Sequence, residues 1–149
     1  MLVREVMTRK VYTVSVTETF PNIVKLLVKR KISGVPVVNK KGGVVGIISD
    51  KDLFFKLFPS QKKFYKDIKF YMNFENIEND ALAIKKLKAR DFMSKEVISV
   101  SPDDHILKAC SLSGLHNIHR LPVIEKGKLV GIITTNSIYK NFLASFIGK

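Results

Sequence analysis

The chain has 149 residues, 46% of them hydrophobic and 26% charged, enough for one compact domain or two very small ones. Twenty-six Lys and Arg against 13 Asp and Glu leave a net charge of +13, a balance that favours anionic partners: nucleotides, nucleic acid or an acidic protein surface. No run approaches the roughly 18 apolar residues of a membrane span, the charged opening "MLVREVMTRK" does not read as a signal peptide, and a lone Cys110 excludes an internal disulfide.

Alternating apolar residues from Val11 to Val16 predict a short strand. "VTETFPNIVKLLVKRK" then predicts a helix, with Thr17 or Thr19 as N-cap, Pro21 in the first turn, and Ile23, Leu26, Leu27 and Arg30 at helical spacing. "VPVVNKKGGVVGIIS" reads as two strands about a glycine turn and "DKDLFFKLF" as a second helix. Residues Pro59–Lys88 are rich in Phe, Tyr and Lys and predict one or two helices, with Ile77, Leu82, Ala83 and Leu87 as a packing stripe and the aromatic residues laid on the core. From Ala89 the order begins again. A short extended run precedes a helix capped by Asp103 or Asp104, which carries Ile106, Leu107, Cys110 and Leu112, with Cys110 expected as a small buried hydrophobe. "LPVIEKGKLVGIIT" is a second hairpin and "NSIYKNFLASF" a last helix.

The two runs are copies of one another. A shift of 86 places Met7 on Met93, Val11 on Val97, Val14 on Val100, Ser15 on Ser101, Leu26 on Leu112, Ile32 on Ile118 and Pro36 on Pro122. After the hairpins the shift is 85, because "NKKGG" is one residue longer than "EKGK", and Val45-Gly46-Ile47-Ile48 then meets Val130-Gly131-Ile132-Ile133. Each unit is strand, helix, strand, strand, helix, too small to bury a stable core alone; two can cover each other.

The doubled phrases "MT…VYTVS…GVPVV…VVGIISDKDL" and "MS…VISVS…RLPVI…LVGIITTNSI" resemble the CBS domain, named after cystathionine β-synthase, and the pair resembles a Bateman module. The resemblance implies an α/β (α+β) fold: tandem β-α-β-β-α repeats forming a pseudo-twofold, two-sheet module with helices outside. The expected division is repeat 1 over 1–58, a helical connector over 59–88 and repeat 2 over 89–149. It also implies clefts between the repeats that take adenosyl ligands such as AMP, ADP or ATP, with S-adenosylmethionine or NAD as further candidates and no metal required.

Site residues follow from the same resemblance. The Asp of the "S/T-x-x-D" phrase is similar to a ribose clamp, since one carboxylate accepts charge-assisted hydrogen bonds from both neighbouring hydroxyls. The first copy has Ser49 and Asp52; the second has Thr134 and Ser137, a neutral and shorter residue. The same "SDKDL" reads equally as a helix start, where Asp is a natural first-turn residue. The resemblance assigns Val97, Ile98, Ile118, His119 and Pro122 to the Asp52 cleft, and Val11, Tyr12, Ile32, Ser33 and Pro36 to the cleft of Thr134 and Ser137. Arg120 stands beside the clefts where it can grip a phosphate.

Nothing in the sequence supports catalysis: there is no Gly-x-Ser-x-Gly, and "KKGG" lacks the Lys-Ser/Thr and helix of a phosphate loop. His116 and His119 lack the further ligands a metal site needs. The expectation is a non-enzymatic regulatory, energy-sensing module in the cytoplasm, with the Asp52 site the principal one, homodimeric and acting on a separate, unknown effector protein, with no membrane partner. The alternatives are a structural or dimerisation module with vestigial clefts, and a basic nucleic-acid-associated regulator, which the charge permits but the pattern does not favour.

Overall fold

The computed structural model describes residues 1–58 and 60–148; Pro59, at the head of the expected connector, and Lys149 lie outside the described residues. In chain order the elements are α1 (Val3–Val6), β1 (Val14–Ser15), α2 (Phe20–Arg30), β2 (Gly34–Val38), β3 (Val44–Ser49), α3 (Asp50–Leu57), α4 (Gln61–Lys66), α5 (Ile68–Tyr71), α6 (Phe74–Ile84), α7 (Ala89–Phe92), α8 (Ile106–His116), β4 (Arg120–Glu125), β5 (Lys128–Thr134) and α9 (Thr135–Ile147). The fold is mixed α/β. One sheet has three strands in the order β1-β2-β3, with β1 parallel to β2; the other is the antiparallel pair β4-β5.

The first strand of the second repeat shrinks to a single parallel bridge, Val100 with Val123, the counterpart of Val14 with Val37. The Val100 N–H donates to the Pro122 carbonyl at 3.1 Å and the Ile124 N–H to Val100 at 2.9 Å. The next rung would need an N–H from residue 102, and Pro102 has none. Both hairpin turns follow their sequences. Asn39 Oδ1 accepts from the N–H groups of Lys41 and Gly43, and Gly42 takes φ +79°. Lys126 and Gly127 are both left-handed, at φ 50° and 76°, as the tightest hairpin turn requires.

The compact units do not coincide with the repeats. Unit one comprises 1–12, 39–45 and 96–149; unit two comprises 13–38 and 46–95. The opening segment of each repeat is therefore folded with the body of the other. In unit one, Val3 and Arg4 donate to the carbonyls of Asp104 (2.8 Å) and Pro102 (3.0 Å), and Thr8 exchanges two hydrogen bonds with Ile132 (2.9 and 3.0 Å). In unit two, Ala89 and Arg90 donate to Glu18 (2.8 Å) and Val16 (3.0 Å), and Ser94 exchanges two with Ile47 (2.9 and 3.0 Å). These are the same bonds at equivalent positions. One-turn helices α1 and α7, which the hydropathy pattern does not reveal, deliver Val3 and Val6 to one core and Ala89 and Phe92 to the other.

The glycines of "VGII" are the receiving surfaces. A Cβ on Gly131 would meet Met7 Sδ at 2.6 Å, and one on Gly46 would meet Met93 Sδ at 2.4 Å. Each Met thus lies in a slot that only glycine leaves open. The core of unit one is Val3, Val6, Val100, Ile106, Ala109, Leu121, Val123, Ile133 and Ile138, with Met7, Ile98, Leu112, Ile118 and Val130 packed against it. In unit two Val14, Phe20, Ile23, Leu27, Val35, Val37, Ile48, Leu53, Ala89 and Phe92 are buried, and the rings of Phe20 and Phe92 lie 5.5 Å apart.

Several expectations need correction. The cap of α8 is His105, whose Nδ1 accepts from the Leu107 N–H; Asp104, one residue earlier, instead holds the Ser101 N–H and Lys108. Cys110 and Leu107 are exposed, and the buried face of α8 is Ile106, Ala109 and Ser113. The connector forms three helices, α4 to α6, and none of them buries a residue. Its aromatics do not settle on the core: Tyr65, Phe70 and Phe74 are exposed, as is Leu82 of the expected stripe.

Candidate functional site

One local device occurs twice. In unit two, β3 runs into α3 at Ser49, whose Oγ accepts from the Asp52 N–H at 3.3 Å. Asp52 answers: its Oδ2 accepts from the Ser49 N–H at 2.7 Å and from the Ser49 hydroxyl at 2.9 Å. In unit one, Thr134 Oγ1 accepts from the Ser137 N–H at 3.1 Å, and Ser137 Oγ accepts from the Thr134 N–H at 3.0 Å. Both are reciprocal capping boxes. They differ in what is left over. The Ser137 hydroxyl spends its proton on the Thr134 carbonyl at 2.8 Å. Asp52 uses Oδ2 for the box, while its Oδ1 takes no hydrogen bond from the described residues and the side chain is half-buried. The helix-start role and a ligand role are therefore compatible in one side chain.

A second bond fixes what lies beside each box. The Asp50 N–H donates to the Ser33 carbonyl at 2.9 Å, and at the equivalent positions the Thr135 N–H donates to His119 at 3.1 Å. Within unit two this bond sets Ser33 beside the Ser49–Asp52 box, and within unit one His119 beside the Thr134–Ser137 box; Ile32 and Ile118 are the chain neighbours of Ser33 and His119. Val97, Ile98, Ile118, His119, Arg120 and Pro122 belong to unit one and Asp52 to unit two, while Val11, Tyr12, Thr134 and Ser137 belong to unit one and Ile32, Ser33 and Pro36 to unit two.

Burial separates these residues by role. Pro36 and Pro122 are fully buried in the strands that carry them. Ile98 and Ile118 pack partly on the core of unit one. Val11, Tyr12, Ile32, Val97 and Arg120 are half-buried, and Ser33 and His119 are exposed. The Lys10 ammonium stands 6.0 Å from the centre of the Tyr12 ring.

Unit one also holds a cavity of 450 Å³ between α8 and α9. Ile118 and His119 reach it, and the rest of its wall, including Ile106, Cys110, Tyr139 and Phe142, was not among the expected site residues. Its volume lies in the small-molecule range. The signal present in the sequence was the apolar run Ile138, Tyr139 and Phe142 on α9, at helical spacing. Among the described residues no group of three or more His, Cys, Asp and Glu is placed to hold a metal, and no helix is long and apolar enough to cross a membrane.

Comparison with known proteins places these features in a family. The model of the CBS domain matches twice, at residues 3–58 and 89–144. An uncharacterised protein of Methanocaldococcus jannaschii is 33% identical over 93% of this chain and 89% of its own length. Longer relatives, among them a homoserine O-acetyltransferase of Methanococcoides burtonii, are matched over only part of their length, 23% in that case. Among solved structures, CBSX2 of Arabidopsis thaliana in complex with AMP superposes with a TM-score of 0.73 at 23% identity, covering 97% of this chain and 98% of that one. The CBS domain pair of protein MJ0100 in complex with 5′-methylthioadenosine and S-adenosylmethionine gives the same TM-score, identity and coverage.

Proposed function

Because this chain belongs to the CBS-domain family, carrying the domain twice, we propose that it is a non-catalytic regulatory module whose ligand is an adenine nucleotide, AMP, ADP or ATP. Similar folds solved with AMP and with S-adenosylmethionine support the adenosyl class. The observation that carries the reading is the divided carboxylate of Asp52. One oxygen is fixed by Ser49, so the side chain is already ordered, and the other is left to accept hydroxyls. An ordered acceptor loses little further entropy on binding. The device in unit one has the order but not the charge, so Asp52 is the principal ribose acceptor. Ser49, Thr134, Ser137, Ile32, Ser33, Ile118, His119 and the guanidinium of Arg120 are proposed ligand contacts, Arg120 for phosphate.

Isothermal calorimetry with AMP, ADP, ATP, NAD and S-adenosylmethionine tests this. Heat from an adenine nucleotide, weakened about ten- to a hundredfold in Asp52→Ser, is expected, the scale of one lost charged hydrogen bond. Silence with all five would leave a structural module.

Self-association belongs to the same reading. Leu107, Tyr139, Phe142 and Phe146 are exposed on α8 and α9, a contiguous apolar cover for a second copy. Analytical ultracentrifugation should give a dimer, and Phe142→Ser a monomer.

A further inference from the structure

Helices α3 to α6 present a different surface. From Phe54 to Phe74, the side chains of Phe54, Phe55, Phe58, Tyr65, Met72 and Phe74 are exposed by 48 to 82%. Between and beside them stand Lys51, Lys56, Lys62, Lys63, Lys66 and Lys69, all exposed and none in an ion pair among the described residues. Three successive helices carry no buried residue; α4 and α5 share ring contacts, and the Asn76 amide of α6 donates to the Phe70 carbonyl of α5 at 3.0 Å. Large apolar side chains left in water this densely mark a contact face.

The occupant can be narrowed. A single-stranded nucleic acid needs a run of free ring faces, but of the exposed rings Phe54 engages Phe55 (5.8 Å) and Phe58 (4.6 Å), and Tyr65 engages Phe64 (5.6 Å). An anionic bilayer meets protrusions, and here the surface is indented by a groove of 270 Å³. The groove is walled by Phe55, Leu57, Phe58, Tyr71 and Ile77, with Lys56 and Lys63 and one carboxylate, Asp80, on its lining. Two cations against one carboxylate, with Lys51, Lys62, Lys66 and Lys69 exposed on the same helices, leave the apolar groove in positive surroundings that receive an apolar side chain flanked by carboxylates.

We infer that the α3–α6 face docks an acidic segment of a partner protein, inserting a Leu- or Phe-type side chain into the groove and pairing carboxylates with Lys56 and Lys63. This deepens the regulatory reading above, on which it rests, by giving the effector a chemistry. The lysines steer encounter and specify the partner; the groove supplies the anchor.

The test is fluorescence anisotropy of the full chain with a fluorescein-labelled dodecapeptide containing one Leu and one Phe among glutamates and serines. Saturable binding is expected, weakened about tenfold by the double variant K56E/K63E and by Phe58→Ser, with thermal melting showing both variants folded. Equal binding of a peptide without the Leu and Phe would reduce the face to a charge effect and overturn the inference. So would no binding at all, or displacement of the peptide by phosphatidylglycerol vesicles or single-stranded oligodeoxythymidylate. Calorimetry on the same preparation separates the two proposals. Nucleotide heat without peptide binding sinks the docking face alone; peptide binding without nucleotide heat sinks the sensing role alone.

Discussion

Asp52 Oδ2 sits 2.7 Å from the Ser49 N–H and 2.9 Å from the Ser49 hydroxyl, so the carboxylate expected to meet a ligand also starts a helix. Removing it confounds two losses. Asp52→Ala should weaken nucleotide binding and also cost about 1 kcal/mol of stability through the lost cap. Asp52→Ser copies the box already built at Thr134 and Ser137, so it should keep stability while losing the ligand bond. Urea unfolding beside calorimetry checks this. A serine variant that binds as tightly as the parent would remove Asp52 from the ligand account.

The reverse exchange is equally informative. Ser137→Asp places an acceptor where the second repeat has a neutral hydroxyl, at a helix N-terminus that favours negative charge. The Thr134 carbonyl loses its bond from the serine hydroxyl, but the Thr134 N–H keeps an acceptor. The expected outcome is a gain in calorimetric stoichiometry or a roughly tenfold tighter weak phase.

Glycines 46 and 131 make the exchanged segments testable. A methyl group at Gly46 would meet Met93 Cγ at 2.8 Å and the Ser94 carbonyl at 3.0 Å. Gly46→Ala and Gly131→Ala should each destabilise by about 1 to 3 kcal/mol through overpacking. Met93→Ala made in the Gly46→Ala background should cost less than it does alone, a coupling that a double-mutant cycle of urea midpoints measures. Strict additivity would mean that the methionine does not occupy the glycine slot.

Two helix ends form a natural pair. Lys31 ends α2 at φ 53° and Asn117 ends α8 at φ 51°, both left-handed. Lysine bears the full steric cost of that conformation, whereas asparagine tolerates it. Lys31→Gly should therefore stabilise by roughly 0.5 to 1 kcal/mol, and Asn117→Gly by less. Melting temperatures of the two variants against the parent decide it, and a larger gain at Asn117 would contradict the argument.

What was legible in the sequence was whatever repeats. The alignment of Met7 with Met93 and of Gly46 with Gly131 contains the architecture, because each pair marks one kind of contact made twice. The exchange of those contacts between bodies was not legible, since a shift of 86 reads the same whether a segment folds on its own repeat or on the other. Thr134 and Ser137 could be found beside Ser49 and Asp52 by register alone. The division of labour between the Asp52 oxygens could not, because it depends on which one the Ser49 hydroxyl reaches. The connector misled for another reason. Phe and Tyr at helical spacing indicate an apolar face but not what covers it, and here no residue of α4, α5 or α6 is buried.

Asp104 gives the fold a pH-dependent element. The Ser101 backbone N–H, 2.8 Å from Oδ2, and the Lys108 ammonium, 2.9 Å from both oxygens, hold its carboxyl below the ordinary carboxylate range. A depressed folded-state value means that the native protein favours the ionised form more than the unfolded chain does. The stabilisation is therefore complete above the unfolded value of about 4 and disappears as pH falls through the lower native value. Asp104→Asn keeps an acceptor for Ser101 but removes the charge, so it should melt below the parent at pH 7. The gap should close through pH 4 and below, as the parent's carboxyl takes up its proton. The residue at the equivalent place in the first repeat, Glu18, instead accepts from the Thr19 N–H at 3.0 Å and the Asn22 amide at 2.9 Å, with no lysine. Melting Asp104→Asn and the parent side by side from pH 2 to 7 checks the closing of the gap; a gap that persists unchanged to pH 2 would mean that the Asp104 charge contributes nothing.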